Sequence, residues 1–260
     1  MLTDKVAVVY GAGGAIGGAV ARAFAGEGAT VFVTGRSRAA VDEVGRDIDT
    51  AGGTVDAAEV DALDERAVDE HLQSVIDKAG RIDISFNAVG VRDTNILGVP
   101  LVDVPAEQFS LPITAYTRSY FLTARLAARR MIPNNSGVIM TVTALPSRSG
   151  TLLNGGYGPA MAAKEALTRD LSAELAPSGI RVVSLRPHAI LETPTMKRVF
   201  ELKNSGITYG QFQDRLAATT HPKRVMALEE VANVAVFMAS DKASGMTGTS
   251  VNLTMGSLAD

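Results

Sequence analysis

The sequence has no cysteine, no surplus of basic charge and no long apolar run, and each absence removes a class of protein. Without cysteine there are no disulfides and no thiolate metal sites. The three histidines, His71, His188 and His221, are scattered and lack paired carboxylate spacing, so no metal site is expected. A formal net charge of −3 and a pI near 5.7 offer nothing to attract a nucleic acid. No apolar stretch reaches the ~18 residues that span a bilayer. The first ten residues run straight into a strand-like segment, with no basic leader before an apolar stretch. These features predict a cytoplasmic protein with no membrane or nucleic-acid partner. No repeat, low-complexity segment or composition break divides the chain, so residues 1–260 are expected to form one domain.

What is present is alternation. Strand-like runs at 5–10, 30–34, 54–60, 82–87, 138–142, 181–185 and 250–253 alternate with helical patterns. The helical patterns cover 15–26, 37–51, 64–79, 106–131, 157–176 and 228–239. Continuous Val and Ile content in the strands predicts an α/β fold. It would be a doubly wound, mostly parallel seven-stranded sheet with helices on both faces. Pro112 is expected to kink or restart its helix. The irregular stretch 188–222, with Pro194, Gly206 and Gly210, is expected to form a substrate-side lid or small helical insert.

Between the first strand and the first helix lies Gly11-Ala12-Gly13-Gly14-Ala15-Ile16-Gly17-Gly18. Glycines there let the backbone approach a pyrophosphate, and the helix N-terminus offers free N–H groups and partial positive charge. Elsewhere in a chain such a cluster is only a tight turn; at this junction it marks a Rossmann-type dinucleotide site. The second strand ends in Thr34-Gly35-Arg36. Sites that take NAD(H) usually place an acidic side chain there for the ribose 2′-hydroxyl. Gly35 lacks one, and Arg36 offers a cation for a 2′-phosphate, so NADP(H) is favoured over NAD(H).

These residues resemble the short-chain dehydrogenase/reductase family along essentially the whole chain. Val60-Asp61-Ala62 resembles the family segment that contacts adenine, and Phe86-Asn87-Ala88-Val89-Gly90 its Asn-Asn-Ala-Gly segment with the first Asn lost. Tyr157, the run 165–169 and Glu174-Leu175 match the helix behind the active site. Ile180-Arg181-Val182 and Pro187 match the next strand and the nicotinamide loop, with His188 in place of a usual glycine. Thr247-Gly248 and Val251-Asn252 match the last strand. The resemblance implies cofactor contacts from Gly11, Gly13, Gly14, Ile16, Gly17, Arg36, Asp61, Ala62, Asn87, Ala88, Tyr157, Pro187, Ile190 and Thr193. It also implies a homo-oligomer, dimer or tetramer, paired through its long helices. The small residues Ala124, Ala127, Ala128, Ala160, Ala162 and Ala163 would allow close helix approach or pack on the sheet.

Three partners of the family's catalytic Tyr are missing. The Ser expected thirteen residues before Tyr157 is Ala144, the Lys expected four after it is Met161, and the Asn position holds Tyr116. Thr143 should face away from Ala144's side of the strand; Ser147, in a loop, could swing in. Lys164 lies seven residues from Tyr157 on the same helix face, roughly 10 Å along the axis, and its side chain leans back toward it. Tyr-x6-Lys is similar to the spacing in enoyl-acyl-carrier-protein reductases, although there the tyrosine shifts register and here the lysine does. Against a catalytic role stands the reading of an ordinary solvated or interface lysine, since helical lysines are usually exposed.

A lone phenol, with an ordinary pKa near 10, is protonated at pH 7 and can donate a proton, whereas oxidising an alcohol needs a base. The sequence therefore points to an NADP(H)-dependent oxidoreductase that reduces a small carbonyl or enone, with Tyr157 as donor. His188 and Glu192 sit in the loop after the sixth strand, where a neutral imidazole could replace a lost acid or base. Two alternatives remain: a non-catalytic nicotinamide-nucleotide-binding protein, acting as sensor or partner subunit, and a lyase or isomerase reusing the fold.

Overall fold

The computed structural model describes residues 1–91, 97–203 and 206–259. Its strands are β1 (Val6–Tyr10), β2 (Thr30–Gly35), β3 (Thr54–Glu59), β4 (Ile84–Asn87), β5 (Gly137–Val142), β6 (Ile180–Pro187) and β7 (Thr249–Leu253). They form one sheet in the order β3-β2-β1-β4-β5-β6-β7, every neighbouring pair parallel. The order reverses between β1 and β4. At such a reversal doubly wound sheets form a crevice at the carboxyl ends of the strands, where they bind ligands.

The helices α1 (Ala15–Gly26), α2 (Arg38–Thr50), α3 (Glu65–Ala79), α4 (Ala106–Met131) and α5 (Tyr157–Leu175) fall where the periodicity predicts them. So does the final helix, which follows α6 (Pro194–Lys203) and α7 (Tyr209–Thr219) and is α8 (Leu228–Ala239). The caps explain two boundaries. Ser37 Oγ accepts the Ala40 N–H to start α2, and Asp64 Oδ1 accepts those of Arg66 and Ala67 to start α3.

Strand alternation splits the core into two layers. Ala7, Val9, Val31, Val33, Ile84 and Phe86 pack against α1, α2 and α8. Val6, Val8, Tyr10, Phe32, Ile139 and Val182 pack against α3, α4 and α5. Each fully buried Val, Ile or Phe contributes about 1.5–3 kcal/mol relative to exposure, so the sheet is held from both sides.

Three expectations are narrowed here. Of the two outcomes expected at Pro112, a kink or a restart, the restart does not occur: α4 continues through that residue. Of the small residues that suited either helix pairing or packing within the protomer, Ala124, Ala127, Ala128 and Ala160 are buried inside it, whereas Ala162 is exposed and Ala163 half-buried. The stretch 188–222 carries α6 and α7, and its residues 204 and 205 lie outside the described residues. No helix among the described residues is long and apolar enough to cross a membrane.

Candidate active site

The β1–α1 turn is built by the backbone. Gly11 has φ +74°, and a Cβ there would come 2.6 Å from the Ala88 carbonyl oxygen. A Cβ on Gly17 would strike the Gly11 carbonyl oxygen, and one on Gly13 would lie 2.9 Å from Ala40 Cβ. The Ala12 N–H is tied to Thr34 O and the Gly14 N–H to Gly11 O, which fixes the loop. Gly14 is the N-cap of α1, no side chain caps it, and the first turn has no acidic residue. Gly13 and Gly14 are exposed, and Ile16 is half-buried behind them. This is a cradle with unfilled N–H groups and positive polarity, and it fits a pyrophosphate.

Around that cradle stand the other residues expected to hold a dinucleotide. A Cβ on Gly35 would lie 3.1 Å from Val41 Cγ2 and 3.9 Å from the Gly13 nitrogen, so this position looks toward the cradle and presents no carboxylate. Arg36 is exposed, while Arg38 is committed to Asp42 at 2.8 Å. Asp61 bends its own segment by accepting the Leu63 N–H, and Ala62 is buried beneath it. Asn87 donates to Thr123 Oγ1 (3.1 Å) and accepts the Val89 N–H (3.4 Å); the Ala88 N–H bonds Tyr10 O. Its amide therefore holds the strand end in shape. Pro187 ends β6, the His188 N–H bonds Leu253 O, and Thr193 turns back on Ile190 O through both its N–H and its hydroxyl.

Tyr157 is the first residue of α5, half-buried. Its place is set by Gly156, where a Cβ would strike Phe109 O and lie 3.0 Å from Pro112 Cγ, so only glycine lets α5 start this close to α4. The Tyr157 ring meets the Tyr116 ring edge to face, centroids 5.8 Å apart at 75°. Tyr116, Ala160 and Met161 form a small apolar cluster with Val91, Ile113, Ala144 and Tyr157. The Tyr116 hydroxyl accepts the Val91 N–H at 3.2 Å.

The hydroxyls and charges nearby face inward. Glu165 Oε1 accepts from Thr143 Oγ1 (3.1 Å), Ser147 Oγ (2.6 Å) and Arg186 Nε (2.7 Å), and Oε2 accepts from Arg186 Nη2 (3.1 Å). Both charged side chains are buried, and burial of a charge requires such pairing. Ser147 is thus held on Glu165, and the expectation that it could swing toward Tyr157 gives way to that short bond. Lys164 also departs from expectation. It is 1% exposed rather than solvated, and its Nζ donates to Val142 O at 2.7 Å instead of reaching back to bond Tyr157. The faces of Tyr116 and Tyr120 each lie 5.7 Å from the ammonium. Burial pulls Lys164 down to about 7.

His188 is buried, with Nε2 3.1 Å from Thr219 Oγ1 at the end of α7. That hydroxyl donates to Leu216 O, so Nε2 carries the proton, and burial lowers the ring's pKa. Glu192 accepts the Leu228 N–H at the start of α8, which is a structural duty. Among the described residues no group of three or more His, Cys, Asp or Glu side chains converges as a metal site. Sequence reading missed the Glu165–Arg186 centre. The available signal was a second arginine, Arg186, at the end of a Val- and Leu-containing strand whose first arginine is Arg181.

A family model described as "Enoyl-(Acyl carrier protein) reductase" matches residues 11–257. An uncharacterized oxidoreductase, YxbG of Bacillus subtilis, is 31% identical over 258 residues, covering 99% of this chain and 92% of that protein. The 7alpha-hydroxysteroid dehydrogenase of Escherichia coli is 29% identical over 247 residues, 95% of this chain and 91% of that one. Among solved structures, NAD+-bound xylitol dehydrogenase superposes with a TM-score of 0.91 at 27% identity, covering 98% of this chain and 99% of that one.

Proposed function

The chain belongs to the short-chain dehydrogenase/reductase family of NAD(P)(H)-linked oxidoreductases, and from that premise we propose that it reduces a small carbonyl or enone with NADP(H), Tyr157 giving the proton. The observation that carries this reading is the placement of Tyr157. It sits at the first turn of α5, flanked by Tyr116 and Ala144 in an apolar cluster. When bound, the nicotinamide would deliver hydride to the carbonyl carbon or to the β carbon of an enone. Gly11, Gly13, Gly14, Ile16 and Gly17 would cradle the phosphates, and Asp61, Ala62, Asn87 and Ala88 would line the adenosine half. Pro187, Ile190 and Thr193 would bound the nicotinamide half.

The chain's own work is to orient the substrate oxygen and protonate it. With Ala144 in place of a hydroxyl, no serine polarises that oxygen from the β5 side, and such donors are worth roughly 2.7–4 kcal/mol where deleted. Enone reduction suits this site best, because the developing enolate oxygen needs one hydroxyl and Tyr157 supplies it. Gly35 and exposed Arg36 support NADP(H) over NAD(H). The helices α6 and α7 serve as a lid over the substrate side, tied to the nicotinamide loop by His188. A dimer or tetramer is the assembly the family resemblance suggests.

The test is a binding titration with NADPH and NADH, followed by NADPH oxidation over a panel of ketones and enones. We expect saturable binding favouring NADPH. A Tyr157→Phe variant should then lose turnover by at least ~100-fold while still binding coenzyme. Unchanged turnover in that variant removes Tyr157 as donor. Binding without NADPH consumption across the panel would leave a nucleotide-binding protein.

A further inference from the structure

Lys164 is a fully buried charged group in the α4–α5 seam with no task in the reading above. Among the described residues no carboxylate pairs with it. Glu165, its neighbour in sequence, is engaged by Arg186 of β6. From β5 it receives one backbone carbonyl, Val142 O. From α4 it receives the faces of Tyr116 and Tyr120. A buried ammonium is costly to desolvate, and aromatic faces recover part of that cost. Tyr120 is itself closed off: its hydroxyl bonds Thr168 Oγ1 at 3.1 Å, and burial pushes it well above the usual phenol range. Tyr116 is different, because its ring also stacks edge-on against Tyr157.

We propose that Lys164 is a positioning residue for proton transfer, its ammonium stabilising, across the Tyr116 ring, the phenolate left on Tyr157 when the substrate oxygen takes its proton. This deepens the reductase reading and rests on it. In the step the Tyr157 O–H bond breaks, the proton bonds the substrate oxygen, and the electron pair stays on the phenol oxygen. Reduced nicotinamide coenzyme supplies the hydride, and solvent later returns the proton to Tyr157. A neutral amine gives no such help. Since burial places Lys164 ionisation at about 7, reduction should be faster below that pH and slow as pH rises through it. Across ~10 Å at an effective dielectric of ~20, the attraction amounts to roughly a tenfold rate effect.

The experiment is single-turnover reduction with NADPH on both sides of neutrality, in wild type, Lys164→Met and Lys164→Arg. Wild type should show a roughly tenfold fall centred near the lysine ionisation. Lys164→Met should be flat at the lower level, and Lys164→Arg, whose charge persists, flat at the upper one. A substrate-free arm follows tyrosinate absorbance, with Tyr157 assigned by subtracting Tyr157→Phe. Its ionisation should appear about one pH unit lower in Lys164→Arg than in Lys164→Met. The proposal is overturned if Lys164→Met keeps the wild-type step, or stays flat at the upper level, or if the two variants ionise Tyr157 alike. Should Lys164→Arg fail to fold, the Lys164→Met profile decides alone. Inactive Tyr157→Phe beside an unaltered Lys164→Met profile sinks this proposal and spares the reductase reading; fully active Tyr157→Phe sinks the reductase reading itself.

Discussion

The two ends of the crevice are made of different materials. At the β1–α1 turn the functional groups are backbone N–H groups, and side chains are excluded by contacts such as a Gly17 Cβ against Gly11 O. At the β5–α5 end they are side chains, and there the polar groups turn away from the crevice: Thr143 and Ser147 onto Glu165, Lys164 onto Val142 O. A site made of backbone is inseparable from the chain path, so it persists wherever the fold persists. A site made of side chains can be rewired while the helices and strands stay in place. That is why coenzyme recognition and proton chemistry can diverge at different rates in one molecule.

The sharpest way to break the comparison is at the backbone end. Gly17→Ala places a methyl group on the Gly11 carbonyl, which cannot yield as a side chain would. We expect NADPH affinity to fall by ~100-fold or more and stability by about 1–3 kcal/mol, read by fluorescence titration and urea unfolding. Near-normal affinity would mean that the loop relaxes and the distinction between the two ends is false. At the side-chain end, Glu165→Gln removes the carboxylate facing Arg186 and should cost about 3 kcal/mol in urea unfolding, with coenzyme affinity little changed. The smallest effect is expected from Arg36→Ala, which should weaken NADPH about tenfold and leave NADH untouched in parallel titrations.

Legibility follows the same division. The boundaries of α1, α4 and α8 match the reading of the sequence, because glycine punctuation and apolar periodicity are local signals. The glycine cradle was legible for the same reason: its glycines fall within eight consecutive residues. The fate of Lys164 was not, since its burial depends on two tyrosines from α4, far away in sequence. Arg186 belongs to the same class. A charge near a strand end reads as the end of the strand, yet β6 continues to Pro187 because Glu165 meets the guanidinium inside. Pro112 misled in part: the helix does not restart there, although proline has no N–H to give the ladder. Ala124 and its neighbours carried no directional information, since small side chains suit a core and an interface equally.

The Glu165–Arg186 pair carries a thermal consequence. Hydration of ions becomes less favourable on heating, so the penalty for keeping two charges away from water shrinks as temperature rises, while apolar packing gains little more. The seam between β6 and α5 should therefore go on gaining as temperature rises, where an oily joint of the same size levels off.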